Sequence, residues 1–157
     1  MTQTKVIGES VKQTNRTFVK SYVEDYAKAI TENYRRYHLN TLNGNLHGNY
    51  PEYAKNQLAE IENGTANLMK FKVYTGKRYY KIVQQEFETW EKSRNYGKYA
   101  DGSVHAFVDK KTGQVYKPAS WQAPAKHVRF DLRIIREREF LFNSNNTDWA
   151  GGYLYLR

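Results

Sequence analysis

The chain has 157 residues, no cysteine and a formal net charge of +9. Without cysteine it has no disulfide staple, no thiolate metal site and no cysteine nucleophile, and at this length it can bury one core unaided. With 14 Tyr, 7 Phe and 3 Trp, aromatic rings must supply much of the buried area, and each buried phenol wants a hydrogen-bond partner.

No apolar run approaches the roughly 20 residues that span a bilayer. The opening MTQTKVIGESVKQTNRTF lacks the hydrophobic stretch of a secretion signal. A cytosolic protein with no membrane partner is the expectation, and the Asn-x-Ser/Thr triplets at Asn15, Asn63 and Asn145 are then chance. The charge is uneven: residues 64–86 carry +4 and residues 103–128 carry +3. That concentration favours an anionic partner such as nucleic acid or a phosphate-bearing surface.

Residues 1–13 show no clear period, and 1–17 read as an N-terminal arm ahead of a single domain over 18–157. Asn15 or Thr17 is placed to cap a helix from about Phe18. Phe18, Tyr22, Tyr26, Ile30, Tyr34 and Tyr37 then recur at helical spacing, with Val19, Val23 and Ala27 beside them. Lys20, Glu24, Lys28 and Glu32 alternate in sign on the opposite face, as a solvated helix surface does. LNTLNGNLHGN, residues 39–49, reads as a loop. Pro51 and Glu52 suit the first turn of a second helix, with Tyr53, Ala54, Leu58 and Ile61 as its buried side and Asn63-Gly64 as its end.

The period then becomes two. Met69, Phe71 and Val73 alternate with Lys70, Lys72 and Tyr74; Thr75-Gly76 turns the chain, and RYYKIV follows as a second strand. QQEFETWEKSRNY, residues 84–96, fits either a short helix or a long twisted hairpin arm, and Asp101-Gly102 marks a turn. SVHAFV and QVYK form a hairpin around DKKTG, with Gly113 at the positive-φ position, and Pro118 ends the pairing. RFDLRII fits strand or helix, DWAGG is a turn, and YLYLR is a last strand. The fold class is α+β: N-terminal helices packed on an antiparallel sheet of about five strands.

RYYKIV, SVHAFVDKKTGQVYKPASWQAPAKHVRF and DWAGGYLYLR together resemble a family of small proteins of uncharacterised function encoded by tailed, chiefly marine, bacteriophages. The resemblance covers roughly residues 68–157. It implies a compact domain working in the cytoplasm of an infected bacterium or carried in a virion, and it carries over no catalytic residue.

Three places suggest binding. The polar side of the sheet gathers Lys70, Lys72 and Tyr74, and, if the register allows, Tyr79, Lys81, His105, Phe107 and Tyr116. Lysines there would hold phosphates while rings stack on bases; alternatively the helices cover this aromatic face and the lysines snorkel at its rim. Lys110 and Lys111 at the DKKTG tip are placed to touch a phosphate, although the same residues make an ordinary loop in which Asp109 accepts N–H groups. In the exit segment Lys117, Trp121, Lys126 and Arg129 form either a stacking platform with phosphate contacts or a plug that fastens the loop to the core.

Enzymatic readings have less behind them. His38, His47, His105 and His127 are too widely spaced for a local metal-ligand pair, and His105 and Asp109 lie about 13 Å apart along a strand. Glu86, Glu88 and Glu91 read as the solvated side of their segment. There is no Walker A loop, no GxGxxG and no nucleophile elbow. No cofactor, metal or catalytic residue is assigned. The expectation is an accessory protein binding nucleic acid, single strands in preference. The alternatives are a structural or docking factor that self-associates or engages a host protein, and a small hydrolase or lyase acting on an anionic metabolite.

Overall fold

Helix α1 (Thr2–Asn45) presents the apolar and aromatic stripe to a five-stranded sheet. The computed structural model describes residues 2–156, with side chains from Phe18 to Leu156. The helix starts at Thr2 rather than near Phe18, so neither Asn15 nor Thr17 caps it; the side chains of the arm expected over 1–17 lie outside those described. Val19, Val23, Tyr26, Ala27 and Ile30 are buried, while Lys20, Glu24, Lys28 and Glu32 are exposed, as their alternation requires. The loop expected from residue 39 instead begins after Asn45. Leu42, only 1% exposed, continues the buried stripe and outweighs the weak helix preference of the Asn and Gly residues around it.

Helix α2 (Pro51–Asn63) ends on Gly64 in the left-handed conformation. Of the side expected to be buried, only Ala54 is: Tyr53 is 58% exposed and Leu58 and Ile61 are half-buried. The helix packs chiefly on α1, and a small residue at the crossing suffices.

The sheet is antiparallel in the order β1 (Lys70–Thr75), β2 (Tyr79–Phe87), β3 (Tyr99–Asp109), β4 (Gln114–Tyr116) and β5 (Phe130–Asp131). Together with helix α3 (Ile135–Phe142) this makes an α+β fold with two helices leading the chain. Residues 84–87 continue β2, and Phe87 pairs with Tyr99 across the hairpin arm. Asp101-Gly102 is not a turn; both residues lie within β3, where the register against β2 shifts. The hairpin bends back at residues 88–98 instead. RFDLRII divides: its first residues hold β5 and its last begins α3. YLYLR is not a strand. Gly151 turns at φ 85° into a short 3-10 turn, Gly152–Leu154, which sends Tyr153 and Leu154 into the core.

The helices cover one face of the sheet. There Phe71, Tyr80, Ile82, Ala106, Val108 and Val115 share one core with the buried residues of α1 and with Leu132, Leu141 and Leu154. The opposite face carries a second, smaller cluster around Val83, Val104 and Phe107, bordered by Tyr74, Tyr79 and Tyr116. The helix layer does not cover these rings.

Candidate nucleic-acid interface

Strand pairing places two basic hairpin tips side by side. Tyr79 lies opposite Asp109, so the β1–β2 turn and the β3–β4 loop meet at one end of the sheet. The Lys110 amide donates to the Arg78 carbonyl at 3.0 Å, and its ammonium donates to the Gly76 carbonyl at 3.1 Å. Asp109 is buried and accepts from the Lys111 and Thr112 amides at 2.8 and 3.0 Å, as a loop-closing aspartate should. Its other carboxylate oxygen is 3.6 Å from Arg78 Nε. Lys77, Arg78, Lys110, Lys111, Asp109 and Thr112 line a groove of about 540 Å³, with four cations to one carboxylate.

A second groove, about 320 Å³, shares Lys77 and Arg78 and runs past Tyr74, Tyr79 and Lys81 to Gln122. Its floor is aromatic. The Tyr79 ring meets Phe107 edge-on at 5.8 Å and Tyr116 at 6.3 Å. Gln122 brings the 117–128 segment to its side as a wall, and Lys81 holds that segment to the sheet. That ammonium donates to the Trp121 carbonyl and lies 4.5 Å from the Trp121 ring and 5.5 Å from Phe107. The Trp121 indole N–H donates to the Gly102 carbonyl at 3.1 Å, yet the residue stays 44% exposed.

The fold therefore brings together Lys81, Phe107, Lys110, Lys111, Tyr116 and Trp121, and adds Lys77, Arg78, Tyr74 and Tyr79. Phe107 is 1% exposed; it supports the floor and presents no face for stacking. Residues 5–156 match a family of unknown function, DUF7717. The chain belongs to that family. No curated protein and no solved structure matches it.

Other expected residues of the DUF7717 chain fall elsewhere. Lys70 and Lys72 share the outer face at β1, each ammonium over a ring: Tyr99 at 4.0 Å and Tyr74 at 4.8 Å. Next to them Asp101 accepts from Gln85 at 2.7 Å and from Tyr74 at 2.8 Å. The Gln85 amide holds the Asp101 carboxyl below its usual range against the effect of partial burial, and Tyr74 and Lys72 add to the lowering. The Lys117 ammonium lies 4.6 Å from the Tyr155 ring, in a different cavity. Lys126 is exposed. The Arg129 guanidinium is committed to the Leu154, Lys126 and His127 carbonyls, so its role is to pin the exit segment to the C-terminal turn.

His105 is on the other side of the sheet. The register passes from Ile82↔Ala106 to Val83↔Val104, which leaves His105 as the extra residue of a bulge and turns it toward the helix layer. Its ring meets Phe71 edge-on at 5.2 Å. Nε2 lies 2.7 Å from the Tyr153 hydroxyl, and Tyr153 in turn is 2.5 Å from the Tyr26 hydroxyl. Burial pushes the imidazole pKa down to about 4, against the raising effect of its bond to the Trp149 carbonyl. A carbonyl only accepts, so Nδ1 carries the proton and Nε2 accepts from Tyr153. Tyr26 then donates to Tyr153. Both ring nitrogens are spent in the core, and neither is available for acid–base chemistry. Among the described residues, no three His, Asp or Glu side chains gather as a metal site would require.

Lys77 and Arg78 were legible only as part of the basic run over residues 64–86. What gives them a place in the groove is the β2–β3 pairing, which sets GKRY against DKKTG.

Proposed function

We propose that this protein binds single-stranded nucleic acid along the outer face of its sheet. The observation that carries the reading is that the four-cation groove at Lys77, Arg78, Lys110 and Lys111 and the groove floored by Tyr74, Tyr79 and Phe107 share Lys77 and Arg78 as lining residues. The cations meet backbone phosphates, while Tyr79, Tyr116 and the exposed part of Trp121 offer stacking surfaces that every base can use. Among the described residues lining the mouth, the only carboxylate, Asp109, is occupied by loop amides and Arg78. The resemblance of the hairpin and its exit segment to tailed-phage proteins supports placing this role in the cytoplasm of an infected bacterium.

Fluorescence anisotropy with labelled single-stranded DNA, single-stranded RNA and duplex DNA, each at low and physiological salt, tests the reading. Binding at micromolar or tighter concentration, favouring a single strand and weakening steeply with salt, is the expected result. No binding to any of them at low salt sinks it.

A second reading, a virion or host-protein docking factor, is favoured by one feature: Trp90 and Tyr96 are 63% and 52% exposed in the β2–β3 connection, and such rings are enriched at protein interfaces. Most of the Tyr-rich stripe of α1 is spent inside the fold, since Tyr26 is fully buried and Tyr22 and Tyr34 pack against the chain's own core, while Phe18 and Tyr37 of the same stripe are each 52% exposed.

A further inference from the structure

Strand β1 ends the sheet and pairs only with β2. The Gly76 amide donates to the Tyr79 carbonyl at 2.9 Å, which sets the phase of the antiparallel ladder: Tyr74, Lys72 and Lys70 direct their backbone groups toward β2. By alternation, Phe71, Val73 and Thr75 direct theirs away from the sheet. Among the described residues these outward groups have no backbone partner. The other end of the sheet differs, since β5 is only Phe130–Asp131 and α3 follows it closely.

A groove of about 620 Å³ runs beside this free edge, between α1 and β1. Phe71, Val73 and Ala27 form its apolar base, and Glu24, Lys28 and Glu32 mix their charges along the helix side. On the opposite face of the same edge Lys70 and Lys72 are both exposed. A strand added to β1 would send alternate side chains into the groove and the others beside these lysines.

We infer that the β1 edge accepts an extended acidic peptide segment of a partner protein by strand addition. Main-chain hydrogen bonds to Phe71, Val73 and Thr75 supply the register. Small apolar side chains of the peptide enter the groove beside α1, and its intervening carboxylates face Lys70 and Lys72. Charge excludes the simplest competing occupant. Pairing β1 with β1 of a second copy sets Lys70 and Lys72 among their own counterparts on one face, and like charges across a strand pair are destabilising.

The test uses the full chain and two acetylated six-residue peptides, one alternating Val and Glu and one alternating Val and Lys, with backbone amides followed by NMR. The Val–Glu peptide is expected to slow hydrogen exchange at Phe71, Val73 and Thr75 by about tenfold, leaving Lys70, Lys72 and Tyr74 unchanged; the Val–Lys peptide leaves all six as they were. Thr75→Pro removes one outward N–H without breaking the ladder to β2, and is expected to weaken the effect. A Lys70→Glu/Lys72→Glu variant is expected to reverse the peptide preference. Protection by neither peptide at millimolar concentration overturns the inference, as does equal protection by both. Protection that depends on protein concentration alone also overturns it, in favour of self-pairing.

Discussion

The Lys81 side chain crosses from the start of β2 to the Trp121 carbonyl while its ammonium sits 4.5 Å from the Trp121 ring. One cation thus fixes the wall of the groove to its floor. Replacing it as Lys81→Met keeps the apolar stem and removes both attachments. The expected outcome is a loss of about 1–2 kcal/mol from the hydrogen bond and the cation–ring contact. Trp121 would also become more accessible to acrylamide quenching, against a background set by the other tryptophans. An unchanged quenching constant would show that the wall is held by other contacts.

The groove cations make a graded prediction. Lys77→Glu with Lys111→Glu removes two charges and adds two carboxylates at the mouth, and binding of a single strand is expected to fall on the order of tenfold or more at low salt. The slope of log K against log salt becomes shallower by about 0.7 for each phosphate that is no longer neutralised. Lys117→Glu, whose ammonium lies over Tyr155 in another cavity, serves as the matched control and should change neither quantity to the same degree.

The buried imidazole makes stability depend on pH. Folding lowers the His105 pKa from 6.5 to about 4, so protonation favours the unfolded chain. The contribution is undisturbed above pH 6.5, declines as pH falls below that value, and is fully lost below about pH 4; the difference corresponds to about 3 kcal/mol. Urea unfolding at pH 7 and at pH 4.5 measures it. His105→Gln keeps an acceptor within reach of Tyr153 but cannot titrate, so its stability should fall less between the two pH values than that of the parent chain.

Gly113 turns the DKKTG loop at φ 72°, and a Cβ built there lies 3.1 Å from Arg133 Cγ. Gly113→Ala is expected to cost about 1–2 kcal/mol from the left-handed backbone, with the Arg133 side chain obliged to shift. Because the same loop carries Lys110 and Lys111 in the groove, a destabilised but folded variant should also bind a single strand less tightly. Chemical denaturation and anisotropy on the same sample separate the two effects.

Leu42 tests the length of α1. At 1% exposure, it behaves as a core residue in a stretch whose composition suggests a loop. Leu42→Ala is expected to destabilise by about 2–4 kcal/mol, whereas a loop leucine would cost a few tenths. Thermal or urea unfolding decides between them.

Much of the scaffold was readable along the chain. The three- and four-residue spacing of Val19, Val23, Tyr26 and Ile30 matches their burial, and the alternation of LMKFKVY correctly sets Phe71 inward and Lys70 and Lys72 outward. Gly64 and Gly113 occupy the positive-φ positions assigned to them. These features rest on local periods and backbone preferences, which a single segment expresses without its neighbours.

The site was less readable for a physical reason. His105 and Phe107 are two residues apart in one strand, so alternation assigns them to one face; the bulge against β2 reverses His105, and nothing within SVHAFV announces it. YLYLR has the composition of a strand, but the final sheet position belongs to Phe130–Asp131, and the Tyr153 hydroxyl finds partners in His105 and Tyr26 instead. Likewise, GKRY and DKKTG are separately basic in the sequence and become one groove only through the pairing of β2 with β3. By itself the sequence determined the types of the strongly periodic elements, the faces of regular segments and the sign of the charge, because each follows from neighbours along the chain. Only the tertiary structure decided which side His105 takes, which rings remain accessible and which cations meet. Those depend on hydrogen-bond register and packing between segments more than twenty residues apart in the sequence.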